Sequence, residues 1–232
     1  LLYARIDRKR KFLGGTFLRA LGLFDDNLAD NQSLLSHFYT AAEFHLKGGK
    51  LYMVPGDHLV GQKSTEDVKD PKTKEVLAAA GKKISRRVLE GLAKAKVKHV
   101  AVEREILDGA VLLEDVVNMN TGEVLLEAND AFLQTHLEMF QANNVDDFKV
   151  CFPDQDGTGK VFSETLSKDH TEDPEEAAKE LFKKIRPGEP ATLESSKKLL
   201  FSMFFDPQKY DLSKVGRHKL NAKLGLNTEL EE

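Results

Sequence analysis

Residues 67–102, DVKDPKTKEVLAAAGKKISRRVLEGLAKAKVKHVAV, align without a gap on residues 115–150, DVVNMNTGEVLLEANDAFLQTHLEMFQANNVDDFKV, at an offset of 48. Eleven of the 36 positions are identical, among them Asp67/Asp115, Thr73/Thr121, Glu75/Glu123, Leu89/Leu137 and Val102/Val150. Apolar character persists where identity fails, at Ile84/Phe132, Leu92/Phe140 and Val100/Phe148. A fixed period of this kind marks a repeated supersecondary unit. Each copy reads as a strand (Val68; Val116-Val117), a turn carrying Thr, and a second strand (Glu75–Leu77; Glu123–Leu125). An amphipathic helix (Ser85–Lys94; Asp130–Gln141) and a closing strand (His99–Val102; Phe148–Cys151) complete it. The middle of the chain is therefore predicted to hold two tandem β-β-α-β-like repeats. They differ in charge: ten bases and four acids in the first, one base and seven acids in the second.

Upstream of the repeats, Phe44–Lys47 and Lys50–Val54 flank Gly48-Gly49, a two-residue turn able to supply positive φ, which predicts a β-hairpin. Leu34, Leu35, Phe38 and Tyr39 keep helical spacing and predict a helix from Ser33 to Ala42. Nearer the amino end, the order is strand (Tyr3–Asp7), basic loop with Gly14-Gly15, then a short helix from Thr16 to Leu21. Downstream, Asp173-Pro174-Glu175-Glu176 supplies a cap, a preset φ and carboxylates for a helix dipole. Ala177, Ala178, Leu181, Phe182 and Ile185 form the apolar stripe of that helix, and the prolines of Arg186-Pro187-Gly188-Glu189-Pro190 end it. Thr192 then caps a helix to about Phe204 with Leu193, Ser196, Leu199, Leu200 and Met203 inward, and a basic segment runs from Asp206 to Leu226.

The 232 residues are 41% hydrophobic and 31% charged, the balance of a globular chain able to bury a core. No apolar run of membrane-spanning length and no signal-peptide pattern occur, so no membrane partner is expected. One cysteine, Cys151, cannot close an internal disulfide, which points to a reducing, cytoplasmic setting. A start at Leu1 in what reads as mid-strand suggests a piece of a longer polypeptide. The net charge of −4 hides segregation. Residues 1–24 carry Arg5, Arg8, Lys9, Arg10, Lys11 and Arg19 against Asp7, and residues 207–225 carry Lys209, Lys214, Arg217, Lys219 and Lys223 against Asp211. Residues 103–180 hold 20 acids and 5 bases. If the two basic ends meet they form one surface suited to phosphates, while the acidic middle would repel nucleic acid. Solvated faces without a partner account for the same runs.

Catalytic and metal signatures are missing. Asp154–Lys160 satisfies neither a calcium loop, which would need Glu where Thr165 stands, nor a phosphate loop, which would need Gly at Asp154, and so reads as a turn. The seven histidines form no HExxH pair, and His99 and His136 read as core or surface residues rather than ligands. No nucleophile elbow or dinucleotide fingerprint is present, and nothing marks Cys151 as activated.

Four strings, RIDRKRK (5–11), FLRALGL (17–23), IRPGEP (185–190) and YDLSKVGRHKLN (210–221), resemble, in this order, the lobe region of the bacterial DNA-directed RNA polymerase β subunit. Residues 31–159 look like the lineage-specific insertion of some β subunits, with TGEVL (121–125) and TKEVL (73–77) similar to its repeated β-rich modules. The resemblance implies a lobe forming one wall of the DNA cleft in transcription, with Asp7, Arg8, Arg10, Lys11 and Arg217 facing DNA. It further implies a gate loop at Arg186, Pro187, Gly188, Glu189 and Pro190. Phe12-Leu13-Gly14-Gly15 departs from the family's Leu-Pro after the basic run. The resemblance implies no catalytic residue and no cofactor here. Magnesium in the whole nucleotidyltransferase would be held by the partner subunit. DNA, the β′, α and σ subunits and transcription factors at the insertion are the implied partners, and the bacterial nucleoid the implied location.

The expected fold is α+β: a mixed helix/sheet lobe from residues 1–30 and 160–232, interrupted by a β-rich insertion at 31–159. A stand-alone protein-protein interaction module without DNA contact is the alternative. The convergence of Arg8, Arg10, Arg186 and Arg217 on one face separates the two.

Overall fold

A computed structural model describes residues 1–6, 10–209 and 211–228. At the amino end, β1 (Tyr3–Arg5) pairs antiparallel with β2 (Lys11–Leu13), and α1 (Gly14–Leu21) follows directly. The sequence predicts a loop at Gly14-Gly15, whereas both belong to the first turn of α1. Close approach is the reason at Gly15, where a Cβ would lie 2.7 Å from Asp169 Oδ2 and 2.9 Å from Leu166 Cδ2. The residues that depart from the family pattern, Phe12 to Gly15, are therefore regular structure, with the Phe12 ring buried. After α1 comes α2 (Asn31–Phe38), capped by Asp30, which accepts from Ser33 N at 2.7 Å. It ends four residues before the predicted Ala42, because Ala42 opens a strand.

That strand, β3 (Ala42–Lys47), and β4 (Lys50–Met53) form the predicted hairpin, with Gly48 and Gly49 at φ of 56° and 77°. Positive φ at both central residues matches the right-handed twist of the flanking strands. The first repeat copy contributes β5 (Val68–Lys69), β6 (Val76–Ala78), α3 (Arg86–Lys94) and β7 (Val100–Val102). The second contributes β8 (Val111–Leu112), β9 (Val116–Val117), β10 (Val124–Leu126), α4 (His136–Ala142) and β11 (Asp147–Cys151). A five-stranded antiparallel sheet runs β7-β4-β3-β11-β8, so the closing strand of each copy docks on one side of the central hairpin. Since β3 and β4 are themselves antiparallel, a two-fold-like rotation relates the copies rather than a translation.

The correspondence is atomic in detail and reaches further upstream than the sequence alignment. Asp67 accepts from Ala80 N at 2.8 Å and Asp115 from Ala128 N at 2.7 Å. Ser64 bridges Val102 where Leu112 pairs with Val150, and Lys63 bridges Lys83 where Val111 bridges Ala131. Gly81 and Asn129, and Lys96 and Asn144, share positive φ, and Leu59 and Leu107 are both fully buried. Matching thus begins near Asp57 and Glu105. One boundary shifts: the helix predicted from Asp130 begins at His136, because the Val111–Ala131 bridge and the 2.9 Å bond from Phe132 N to Ala110 O hold residues 131–132 extended.

The carboxyl-terminal third supplies α5 (Val161–Leu166), α6 (Pro174–Ile185), α7 (Leu193–Phe204) and α8 (Lys214–Leu224). Asp173 caps α6 by accepting from Glu176 N at 2.7 Å, and Thr192 with Ser195 forms a capping box on α7. The architecture is α+β, with three apolar cores among the described residues. The largest fills the repeat body, where Phe44, Phe132, Phe140 and Phe148 pack with ring centroids 5.1–6.0 Å apart. A second joins α2 and α5 to the underside of the second copy through Leu34, Leu35, Leu113, Cys151 and Phe162. In the third, Phe12 and Ala20 meet Ala177, Ala178, Leu181 and Leu200. The amino-terminal segment thus shares one core with α6 and α7. Among the described residues, no helix is long and apolar enough to cross a membrane.

Candidate nucleic-acid interface

The third core decides which basic residues meet. By packing α1 on α6 it brings the start of β2 to the end of α6, where Arg10 Nη1 donates to Ile185 O at 2.5 Å. A guanidinium there satisfies one of the carbonyls a helix end leaves open and complements its dipole. Arg186, the next residue, is exposed and pairs with Glu189 at 3.4 Å across a turn in which Gly188 adopts φ of 91°. Lys11 lies over the Tyr3 ring, its Nζ 4.3 Å from the centroid. Arg10, Lys11 and the exposed loop Arg186–Pro190 therefore occupy one neighbourhood. Lys183 and Lys184, both exposed in the last turn of α6, add to it.

Arg217 is held differently. Its Nη2 donates to Asp211 Oδ1 at 2.6 Å and its Nε to Leu212 O at 3.4 Å, both within its own segment. No residue of α8 is buried, and the helix carries its basic charge outward. Asp7 and Arg8, the other residues expected at the interface, lie outside the described residues, as does Lys9.

One residue assigned to the basic surface is not there. Arg19 is 2% exposed and sits at the centre of a polar network. Its Nη1 donates to Asp169 Oδ2 at 2.8 Å, to Thr171 Oγ1 at 2.9 Å and to the Thr171 carbonyl, and its Nη2 donates to Asn31 Oδ1. Asp169 also accepts from Thr16 Oγ1 at 2.9 Å and from Thr171 N at 3.1 Å. This cluster fastens α1 and the start of α2 to the segment entering α6, and so fixes the scaffold that presents Arg10. Its signal in the sequence is the spacing of Thr16, Arg19 and Ala20, which share the buried face of α1 with no exposed position for the arginine.

Other polar residues take structural places. Burial, with a smaller contribution from the Asp156 charge, pushes the Cys151 thiol up to about 12, so it is a neutral, buried group rather than a nucleophile. His136 Nδ1 accepts from Leu133 N at 3.2 Å at the start of α4, and the His99 ring lies tilted against that of His45 with 5.2 Å between centroids. Asp154–Lys160 is a turn in which Lys160 pairs with Asp154 at 2.6 Å. Among the described residues, no three His, Cys, Asp or Glu side chains converge as metal ligands.

Comparison with known proteins matches residues 149–232 to the family described as RNA polymerase Rpb2, domain 2. Over 230 residues the chain is 43% identical to the DNA-directed RNA polymerase subunit beta of Koribacter versatilis (strain Ellin345), covering 97% of this chain and 15% of that protein. Identity to the same subunit is 39% over 224 residues in Solibacter usitatus (strain Ellin6076), with 97% and 15% covered. It is 38% over 242 residues in Anaeromyxobacter dehalogenans (strain 2CP-C), with 100% and 17% covered. The chain spans about a sixth of the length of these curated relatives.

Proposed function

Because the chain belongs to the bacterial DNA-directed RNA polymerase β-subunit family, of which it covers a segment, we propose that it forms a lobe wall of the DNA cleft, carrying an inserted surface module. The observation that carries this reading is the contact of Arg10 with the end of α6, which brings Arg10 and Lys11 beside the Arg186–Pro190 loop. Guanidinium and ammonium groups there suit phosphate oxygens, which position nucleic acid without reading its sequence. Pro187 and Pro190 stiffen the loop, and Gly188 supplies its positive φ, as a gate element opposite the cleft's other wall. Arg217 contributes from α8 once the remaining polymerase subunits orient that helix. The lobe comprises residues 1–30 and 160–232, and the repeat body between them is an insertion whose acidic second copy docks transcription factors.

In this reading the segment supplies no catalytic group and no cofactor. Magnesium chemistry belongs to the partner subunit of the nucleotidyltransferase, and the β′, α and σ subunits complete the assembly. The test is the salt dependence of duplex DNA binding by this chain, set against a variant with Arg8, Arg10 and Arg217 replaced by alanine. Non-specific affinity of roughly 10⁻⁴ to 10⁻⁶ M is expected, with a salt slope that flattens by about 0.9 for each phosphate the variant no longer neutralises. A slope indifferent to the triple change refutes the site.

A further inference from the structure

Two copies on one backbone make each a control for the other's side chains. At the start of α3, Lys82, Lys83, Arg86 and Arg87 are all exposed, and the equivalent positions of the second copy hold Asp130, Ala131, Gln134 and Thr135. The scaffold therefore does not require the basic residues. Lys83 faces Lys63 across an antiparallel bridge, where the second copy sets Ala131 against Val111. Like charges directly opposite each other destabilise a strand pair. Lys63 and Lys83 line a cleft of about 360 Å³ together with Glu103, Glu105 and Asp108, yet among the described residues no ion pair reaches Lys63, Lys82, Lys83 or Arg87. Arg86 makes a 3.5 Å pair with Asp57, both side chains 76% exposed, and Glu90 stands one turn along the helix.

What such a surface fits follows from its composition. Residues 82–87 expose no aromatic or large apolar side chain, Ile84 being buried. Protein partners meet at apolar, aromatic-rich centres from which lysine is depleted, whereas nucleic-acid interfaces are polar and strongly positive. We propose that the start of α3 is a second, sequence-independent contact surface for the phosphate backbone of duplex nucleic acid, separate from Arg10 and the Arg186–Pro190 loop. This rests on the polymerase reading only in placing the chain beside DNA.

The experiment measures binding of the full chain to a short duplex of arbitrary sequence between about 50 and 200 mM salt. The first variant carries the second copy's residues, Lys82→Asp, Lys83→Ala, Arg86→Gln and Arg87→Thr. A milder one, Lys83→Ala with Arg87→Thr, adds no acid. A third, Arg10→Ala with Lys11→Ala, probes the other surface alone. The four-site change should reduce the slope by about 2 to 4 and the two-site change by about 1 to 2, at about 0.9 per neutralised phosphate. Unchanged slopes in both overturn the proposal. So does loss of poly-glutamate binding with duplex binding retained, which would identify an acidic protein partner instead. If only the Arg10/Lys11 variant is silent, the cleft reading fails while this one stands.

Discussion

Replacing Arg19 by methionine removes the cation at the centre of a polar cluster and leaves Asp169 behind without its charge partner. Both side chains of the pair are 2% exposed, although both line a polar cleft of about 580 Å³, so the bonds lost are those of a buried pair. Asp169 would keep Thr16 Oγ1, Thr171 N and Thr171 Oγ1 as donors, while Asn31 Oδ1 and the Thr171 carbonyl would lose theirs. Breaking a buried pair by removing one partner costs about 3–5 kcal/mol, against about 0–1 kcal/mol for an exposed pair. For a chain of this size, that lowers the melting temperature by about 6 to 20 °C. Urea unfolding followed by circular dichroism, on Arg19→Met, Asp169→Asn and the double variant, measures the cost and the coupling. The double variant should fall short of the summed single losses by about 0.5–3 kcal/mol, since the two groups contact each other. Raising the salt should leave the penalty in place, because screening acts mainly on exposed charges. A loss below about 1 kcal/mol for Arg19→Met, or strictly additive singles, would refute the claim that this cluster fastens α1 and α2 to the segment entering α6.

Phe148→Ala should cost about 3–5 kcal/mol in urea unfolding, because its ring packs on Phe44, Phe132 and Phe140 and no neighbour can fill the space; a cost under about 1 kcal/mol would mean the sheet core is not packed as described. Burial, with a smaller contribution from Asp156, pushes the Cys151 thiol from its ordinary 9.0 up to about 12, and burial likewise raises Tyr39 above its ordinary value. A raised folded-state pKa contributes stability that is present below the unfolded value and is lost as pH rises through the folded one. The urea midpoint should therefore fall as pH climbs from 9.0 toward 12, and a flat or rising midpoint would contradict the burial of these groups. Asp67→Ala and Asp115→Ala each remove an acceptor from one backbone N–H, that of Ala80 or Ala128, so each should cost about 1 kcal/mol. Thermal melts of the pair check whether the two copies respond alike, as their shared geometry requires.

Period and capping make much of the fold legible without coordinates. Asp173 and Thr192 announce α6 and α7 because a cap is a local interaction, written within four residues of sequence. The Gly48-Gly49 hairpin is legible for the same reason. What escapes is non-local. The start of α4 is displaced by a bridge to Val111, twenty residues upstream, and the first ten residues of each repeat stay hidden because few identities, Leu59/Leu107 and Gly61/Gly109 among them, survive there. Arg19 counts as surface charge in the sequence because its partner Asp169 lies 150 residues away. The candidate site divides along the same line. Arg186–Pro190 is visible as a loop from its prolines, but that Arg10 touches Ile185 depends on the packing of α1 against α6, which no local pattern encodes.

The repeat also explains how one body can carry opposite charges without losing its shape. Its geometry is set by a small group of positions: Asp67 and Asp115 tying a hairpin to the following turn, Leu59 and Leu107 in the core, and Lys96 and Asn144 turning the chain after the helix. Most of the charged substitutions between copies fall elsewhere, on exposed positions such as Lys72/Asn120, Lys82/Asp130 and Lys98/Asp146. Surface substitutions of that kind usually change stability by less than about 0.5 kcal/mol each, so the two faces are free to diverge. The Lys63–Lys83 bridge is where divergence is expected to cost something, because there two lysines oppose each other on paired backbone. Substituting Val and Ala, the residues the second copy uses, should stabilise the body. If Lys63→Val with Lys83→Ala raises the urea midpoint while flattening the salt slope of duplex binding, stability has been given up at that position for contact with a polyanion. If the midpoint falls instead, the lysines support the fold, and the contrast between the copies loses its meaning as a sign of function.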